Sequence, residues 1–214
     1  MKKRNSVFFI AALSAALSFG AVDDAAKMGA EKMNPGSAMR TVERMGGGEF
    51  KVLVYGNSIA LHGPLAKIGW TNNWGMAASA REKDFAHLLV ADLEAKRGEK
   101  ADLRIRNLAS LERNFKVDLS DFAELAEDVA WAPDYVVIAI GENAKNLDDE
   151  SKPIYKDFLV SLARPLVNCA SKPLVVMRSP FLISSMEYDA PLRSFTILSS
   201  SFLEPISHFF PPCP

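Results

Sequence analysis

Four short apolar runs separated by helix-length stretches constrain this chain more than any other feature. Residues 50–55, 135–140 and 174–177 are rich in β-branched and apolar side chains, and 102–107, with Leu103 and Ile105 between charged residues, reads as a fourth strand. Near-continuous runs of this kind suit strands of a parallel sheet covered on both faces. The stretches 82–97, 119–130 and 154–169 between them read as helices, the first with apolar residues at Phe85, Leu88, Leu89 and Leu93. Regular alternation of strand and helix predicts a doubly wound α/β domain over residues 49–189. Ligands of such sheets gather at the carboxyl ends of the strands, so those ends hold the candidate site.

A length of 214 residues suits one such domain. Hydrophobic residues at 49% and charged residues at 24% exclude a disordered, collagen-like or multi-span membrane chain. The net charge of −1 gives no reason to expect a nucleic-acid partner. Two cysteines, Cys169 and Cys213, are too few for a disulfide scaffold or a four-ligand zinc site. At the amino terminus, Lys2, Lys3 and Arg4 precede an apolar run from Val7 to Leu13 and small residues through Ala21. This is the pattern of a signal peptide over residues 1–21, cleaved near Gly20 or Ala21, and it predicts export to the periplasm or beyond. The apolar run is too short for a stable membrane span, which takes about 20 residues. Residues 22–48 have weak periodicity and read as a linker, with room for a short helix before Pro35.

The strand ends carry the chemistry. The first run ends in Gly56-Asn57-Ser58-Ile59, the second in Asn107-Leu108-Ala109-Ser110 and the third in Gly141-Glu142-Asn143-Ala144. A serine after a strand and a glycine turn has its hydroxyl exposed at the sheet edge. Asn143 supplies an amide on the adjacent rim, and Ser110 a backbone N–H. A nucleophile with converging donors is what acyl transfer requires, because fixed donors stabilise the tetrahedral oxyanion by roughly 3–4 kcal/mol each in a dry site.

These residues resemble the SGNH/GDSL hydrolases. Val54-Tyr55-Gly56-Asn57-Ser58-Ile59 looks like that family's first block, with asparagine in place of the usual aspartate, and Gly141-Glu142-Asn143 looks like its third. The string His62-Gly63-Pro64, Ile68-Gly69-Trp70, Trp74-Gly75-Met76-Ala77-Ala78-Ser79-Ala80 and Lys83-Asp84 resembles a bacterial, exported branch of the same family. The resemblance spans about residues 50–180. It implies a flavodoxin-like sheet and a serine esterase or acylhydrolase working without cofactor or metal. Ser58 would be the nucleophile, with its own N–H and the Asn143 amide as oxyanion donors. The second block normally offers a glycine N–H; Ala109-Ser110 stands there instead, which leaves Ser110 as the corresponding donor.

The family's base comes from an Asp-x-x-His block near the carboxyl terminus, and a serine without a base is a poor nucleophile. Three histidines exist here. His87 lies in Asp84-Phe85-Ala86-His87, the right spacing on the wrong helix. His62, four residues after Ser58, suits substrate contact better than proton removal. His208 has only Glu204 upstream, across Pro205. Residues 190–214 hold five of twelve prolines, five serines and four phenylalanines, with Arg193 and Glu204 as their only charges. That shift reads as an altered or truncated frame, and it predicts a sheet incomplete at its C-terminal edge. The alternative is a natural divergent tail packing its apolar side chains on the sheet.

Trp70 and Trp74 flank Asn72-Asn73 in the loop after the serine. Aromatic platforms beside amides suit sugar rings, so an acylated carbohydrate is one candidate substrate; two apolar anchors folding the loop down is the other reading. Cys169 and Cys213 have the option of pairing in an exported protein, or Cys169 is simply a small buried residue. A flavodoxin-like nucleotide binder is disfavoured because no phosphate-binding turn follows the first strand. Two readings remain: an exported esterase, and a chain with nucleophile and oxyanion rim but no base, serving as a binder or inert.

Overall fold

The structure, a computed structural model, describes residues 42–178 apart from 77 and 146, together with 195–198. Six strands form one sheet: β1 (Val42–Met45), β2 (Phe50–Gly56), β3 (Ala101–Asn107), β4 (Tyr135–Ile138), β5 (Leu174–Arg178) and β6 (Phe195–Leu198), in the order β1-β3-β2-β4-β5-β6. The inner four, β3-β2-β4-β5, are all parallel. The chain starts that core at β2, steps outward to β3, then reverses across to β4 and β5. This is the flavodoxin-like winding, and its switch point lies between β2 and β4.

Each parallel step needs a crossover. Helix α1 (Phe85–Arg97) joins β2 to β3, α2 (Ala109–Arg113) and α3 (Ala123–Trp131) join β3 to β4, and α4 (Ser151–Val167) joins β4 to β5. Side chains alternate along β2 and divide the core in two. Val52 and Val54 meet Ala86 and Val90 of α1 on one face, whereas Leu53 and Tyr55 meet Leu111, Leu125, Phe158 and Leu162 on the other. Both faces are covered, which is why the strand is apolar at consecutive positions from Val52 to Tyr55. Each fully buried aliphatic side chain contributes roughly 1.5–3 kcal/mol.

Four differences from the sequence reading stand out. Val42–Met45, within the stretch read as linker, is a strand antiparallel to β3. Phe195–Leu198, within the apolar tail, pairs antiparallel with β5, so the edge expected to be bare carries a strand. Each is only four residues long, too short for a period of two to stand out in the sequence. In α1 the buried positions are Ala86 and Val90, four residues apart, while Leu88 is half exposed. The expected helix start at residue 82 also moves: Asp84 is the N-cap and accepts the His87 N–H at 2.9 Å.

Helix α3 is fastened by a buried ionic cluster. Arg104 and Arg106 point to the face of β3 opposite Leu103 and Ile105, and both donate to Asp128, which is fully buried. The Arg104 Nη1 to Asp128 Oδ1 distance is 2.5 Å, and Arg106 Nη2 lies 2.7 Å from the same oxygen. Tyr55 donates its hydroxyl to Asp128 Oδ2 at 2.9 Å, and burial, then the Asp128 charge, holds that phenol well above its ordinary range. Arg106 also reaches Glu127 at 2.8 Å, and the Arg104 guanidinium lies 4.2 Å from the centre of the Trp131 ring. Among the described residues no helix is long and apolar enough to cross a membrane.

Candidate functional site

The winding sets the carboxyl ends of β3, β2, β4 and β5 side by side, and side chains stitch all four together. At the end of β2, a Cβ on Gly56 would lie 2.3 Å from the Ala60 Cβ, so the turn that follows needs glycine. Asn57 Oδ1 accepts the Ile59 N–H at 3.0 Å, and the Asn57 carbonyl accepts from Ala60 and Leu61. Ser58 is thereby lifted into the turn, half-buried, with its carbonyl accepting from Met76 N at 2.9 Å. At the end of β3, Asn107 donates to the Leu61 carbonyl at 2.7 Å and caps Ala109 N at 2.9 Å. Ser110 follows as the second residue of α2.

Asn57 is almost fully buried, and its amide points the other way, donating to Glu142 Oε2 at 2.7 Å. Glu142 Oε1 in turn accepts from Arg178 Nη2 at 2.6 Å, which brings in the end of β5. The Gly141-Glu142-Asn143 turn after β4 is held from α2. Glu112, with no exposed surface, accepts the Gly141 N–H, the Asn143 N–H at 3.3 Å and the Asn143 Nδ2–H at 2.7 Å. Gly141 sits at φ 134°, where a side chain is strained. Arg113 Nη1 donates to Asn143 Oδ1 at 3.2 Å. Burial raises the Glu112 carboxyl above its ordinary range against the pull of these donors, and the Glu142 charge adds to the rise. The Tyr155 hydroxyl is buried nearby with no hydrogen-bond partner, and burial, then the Glu112 and Glu142 charges, raises its pKa.

Ser58, Asn143 and Ser110 thus stand at the ends of three neighbouring strands. Glu112, Glu142, Arg178, Asn107 and the amide of Asn57 were not singled out by the sequence reading. One signal was present: Glu112 interrupts the stripe Leu108, Leu111, Phe115, whose three members are buried. A charged residue at helical spacing inside an apolar stripe marks a buried carboxylate.

The loop from Ser58 to α1 folds back on itself through backbone bridges His62 to Trp74 and Leu65 to Trp70. Trp70 and Trp74 pack edge to face with centroids 5.9 Å apart. Their indole N–H groups donate to the carbonyls of His62 and Ala78, at 3.1 and 3.0 Å. Both rings are thereby tied to the loop, which supports the anchor reading of this pair, and each stays partly exposed. The Nδ1 of His62 lies 2.6 Å from the Gly63 carbonyl, a contact that requires the proton on Nδ1. The Nδ1 of His87 lies 2.8 Å from Asp84 Oδ1, so the Asp-x-x-His spacing here is that of an N-cap and the third residue of its helix. Asp84 also accepts Gly75 N–H at 3.3 Å, tying the loop to α1.

A cavity of about 520 Å³ opens elsewhere, between the loop after α2 and α4, lined by Phe115, Leu119, Leu125, Ile154 and Phe158 among others. Cys169 is buried, with Sγ 3.2 Å from Ser171 Oγ. Among the described residues no cluster of three or more His, Cys, Asp or Glu is arranged to hold a metal ion. The signal-peptide reading, His208 and Cys213 lie outside the described residues. In comparison with known proteins, no family model matches the chain, and no curated protein or solved structure matches it either.

Proposed function

We propose that this chain carries the nucleophile and oxyanion half of an SGNH-type serine esterase site, exported and acting on an acyl ester such as an acetylated glycan. The observation that carries the reading is the joining of two loops: Asn57, next to Ser58, bonds Glu142, next to Asn143, at 2.7 Å. In the proposed reaction the Ser58 oxygen attacks the ester carbonyl as its proton passes to a base or to water. Collapse of the tetrahedral intermediate breaks the ester C–O bond and releases the protonated alcohol, and water then hydrolyses the acyl-serine. The Ser58 N–H and the Asn143 amide receive the oxyanion, with Ser110 as a third candidate donor. His62 stands beside the serine loop as a substrate contact. No cofactor enters the scheme.

A second reading concerns the base. His62 Nδ1 bonds the Gly63 carbonyl and His87 Nδ1 bonds the Asp84 cap, so on either ring only Nε2 could take the serine proton. A chain whose serine lacks a base would bind esters and turn them over slowly. Hydrolysis of p-nitrophenyl acetate separates the two. We expect very weak turnover that Ser58→Ala barely changes, rising by orders of magnitude and becoming Ser58-dependent when an Asp-x-x-His segment is appended. Robust Ser58-dependent turnover of the unmodified chain would instead assign the base to a resident histidine, and His87→Ala, His62→Ala and His208→Ala would identify it. If neither the chain nor its extended form shows Ser58-dependent hydrolysis, the esterase reading falls.

A further inference from the structure

We infer that Glu112 and Arg113, consecutive on α2, form a clamp that sets the orientation of the Asn143 amide and leaves one of its N–H groups for a ligand. The inference rests on the esterase reading only for what that ligand is. An asparagine amide has one acceptor end and one donor end, and the two ends are chemically told apart here. The Glu112 carboxyl accepts the backbone N–H groups of Gly141 and Asn143 and lies 2.7 Å from Nδ2. Arg113 only donates, and it lies 3.2 Å from Oδ1. A flipped amide would set oxygen against carboxylate and N–H against guanidinium, so a single orientation survives.

Glu112 also holds the backbone on both sides of Glu142, through the N–H groups of Gly141 and Asn143. The side chain and its platform are therefore fixed by the same carboxylate. Of the two Nδ2 hydrogens, the one toward Glu112 is engaged. Among the described residues Nδ2 bonds the Glu112 carboxylate, which leaves the second hydrogen for the ligand. Glu112 and Arg113 touch no reacting atom in this scheme; both are positioning residues.

The test is nuclear magnetic resonance on the full ¹⁵N-labelled chain, reading the Asn143 side-chain amide. In the wild type, the two Nδ2 protons should be well separated, with the Glu112-bound one downfield and exchanging with water at least about tenfold more slowly than exposed asparagine amides. Glu112→Gln should collapse the separation, and Glu112→Asp should restore part of it. Arg113 is exposed, so Arg113→Ala leaves the fold intact and should speed exchange even if the Glu112 variants fail to fold. Fast exchange in the wild type, or an Asn143 signal indifferent to both Arg113→Ala and folded Glu112→Gln, would overturn the clamp. Phenylboronic acid, which forms a tetrahedral adduct on a serine oxygen, then reads the ligand. A shift of the second Nδ2 proton in wild type but not in Ser58→Ala supports the oxyanion role. An intact clamp with no boronate shift would leave the clamp standing and overturn the oxyanion role of Asn143.

Discussion

Two buried ionic clusters sit on the same sheet and are built differently. The Arg104, Arg106 and Asp128 cluster lies under α3, where Tyr55 of β2 and the two guanidinium groups of β3 donate to Asp128 and Arg106 also donates to Glu127. The cluster at the strand ends has two carboxylates, Glu112 and Glu142, and its donors are largely amides: Gly141 and Asn143 backbone, Asn143 and Asn57 side chains, with Arg178 on Glu142. Matched charges can fasten a helix to a strand because both elements are already rigid. A loop has no such ladder, so carboxylates that collect several N–H groups give it shape at the expense of burying acid. The first cluster fastens α3 to the sheet, and the second ties the turns after β2 and β4 to α2 and to the end of β5.

Removing the centre of the first cluster should have the largest effect. Asp128→Ala leaves two buried guanidinium groups without their shared acceptor and should cost about 3–5 kcal/mol in urea unfolding. A loss under about 1 kcal/mol would show that water or relaxation replaces the pair.

Asn57→Asp comes next, and it probes why asparagine stands where the resembled family has aspartate. The new carboxylate would lie against Glu142, where the amide now bonds at 2.7 Å, and near Glu112 at 3.5 Å. Three acids in contact should destabilise the fold by about 2–3 kcal/mol at neutral pH. The crowded acid would have a raised pKa, so the deficit should shrink as the pH falls. A deficit that does not change with pH would mean that charge repulsion is not its cause.

Glu112→Gln should give a smaller loss at acid pH, about 1–2 kcal/mol, from setting N–H donors against N–H donors. Its pH dependence has a definite sign. Burial raises the Glu112 carboxyl in the folded state, so the stability tied to its protonated form is complete below the ordinary glutamate range. That stability is lost as the pH rises through the raised value. The substitution removes this decline, so its deficit should narrow from acid to neutral pH, in denaturant titrations at several pH values. A deficit that widens over that window would contradict the assignment.

The smallest change is Tyr155→Phe. It deletes a buried hydroxyl without a partner, so stability should stay within about 1 kcal/mol of wild type or rise. A larger loss would show that the hydroxyl is bonded in solution.

The legibility of the sequence followed the same division. The parallel core was legible because strands such as β2, buried along nearly their whole length, must be apolar at consecutive positions. The edge strands β1 and β6 were not, since four paired residues on one side leave no pattern. Ser58 and Asn143 were legible from their places after β2 and β4. The groups that hold them were not, because Glu112, Glu142 and Arg178 come from three different elements and meet only once the sheet is wound. Trp70 and Trp74 look alike as sugar platforms or loop anchors until their indole N–H bonds are known. His87 matched a catalytic spacing that equally describes a helix cap.

The central claim is that Ser58 and Asn143 converge on one acyl group. A crystal structure of the phenylboronic acid adduct tests it most directly. The account predicts boron bonded to Ser58 Oγ and a boronate oxygen about 2.7–3.1 Å from Asn143 Nδ2, with Glu112 still holding that amide from behind. A boronate on Ser58 whose oxygens all face away from Asn143 would contradict it.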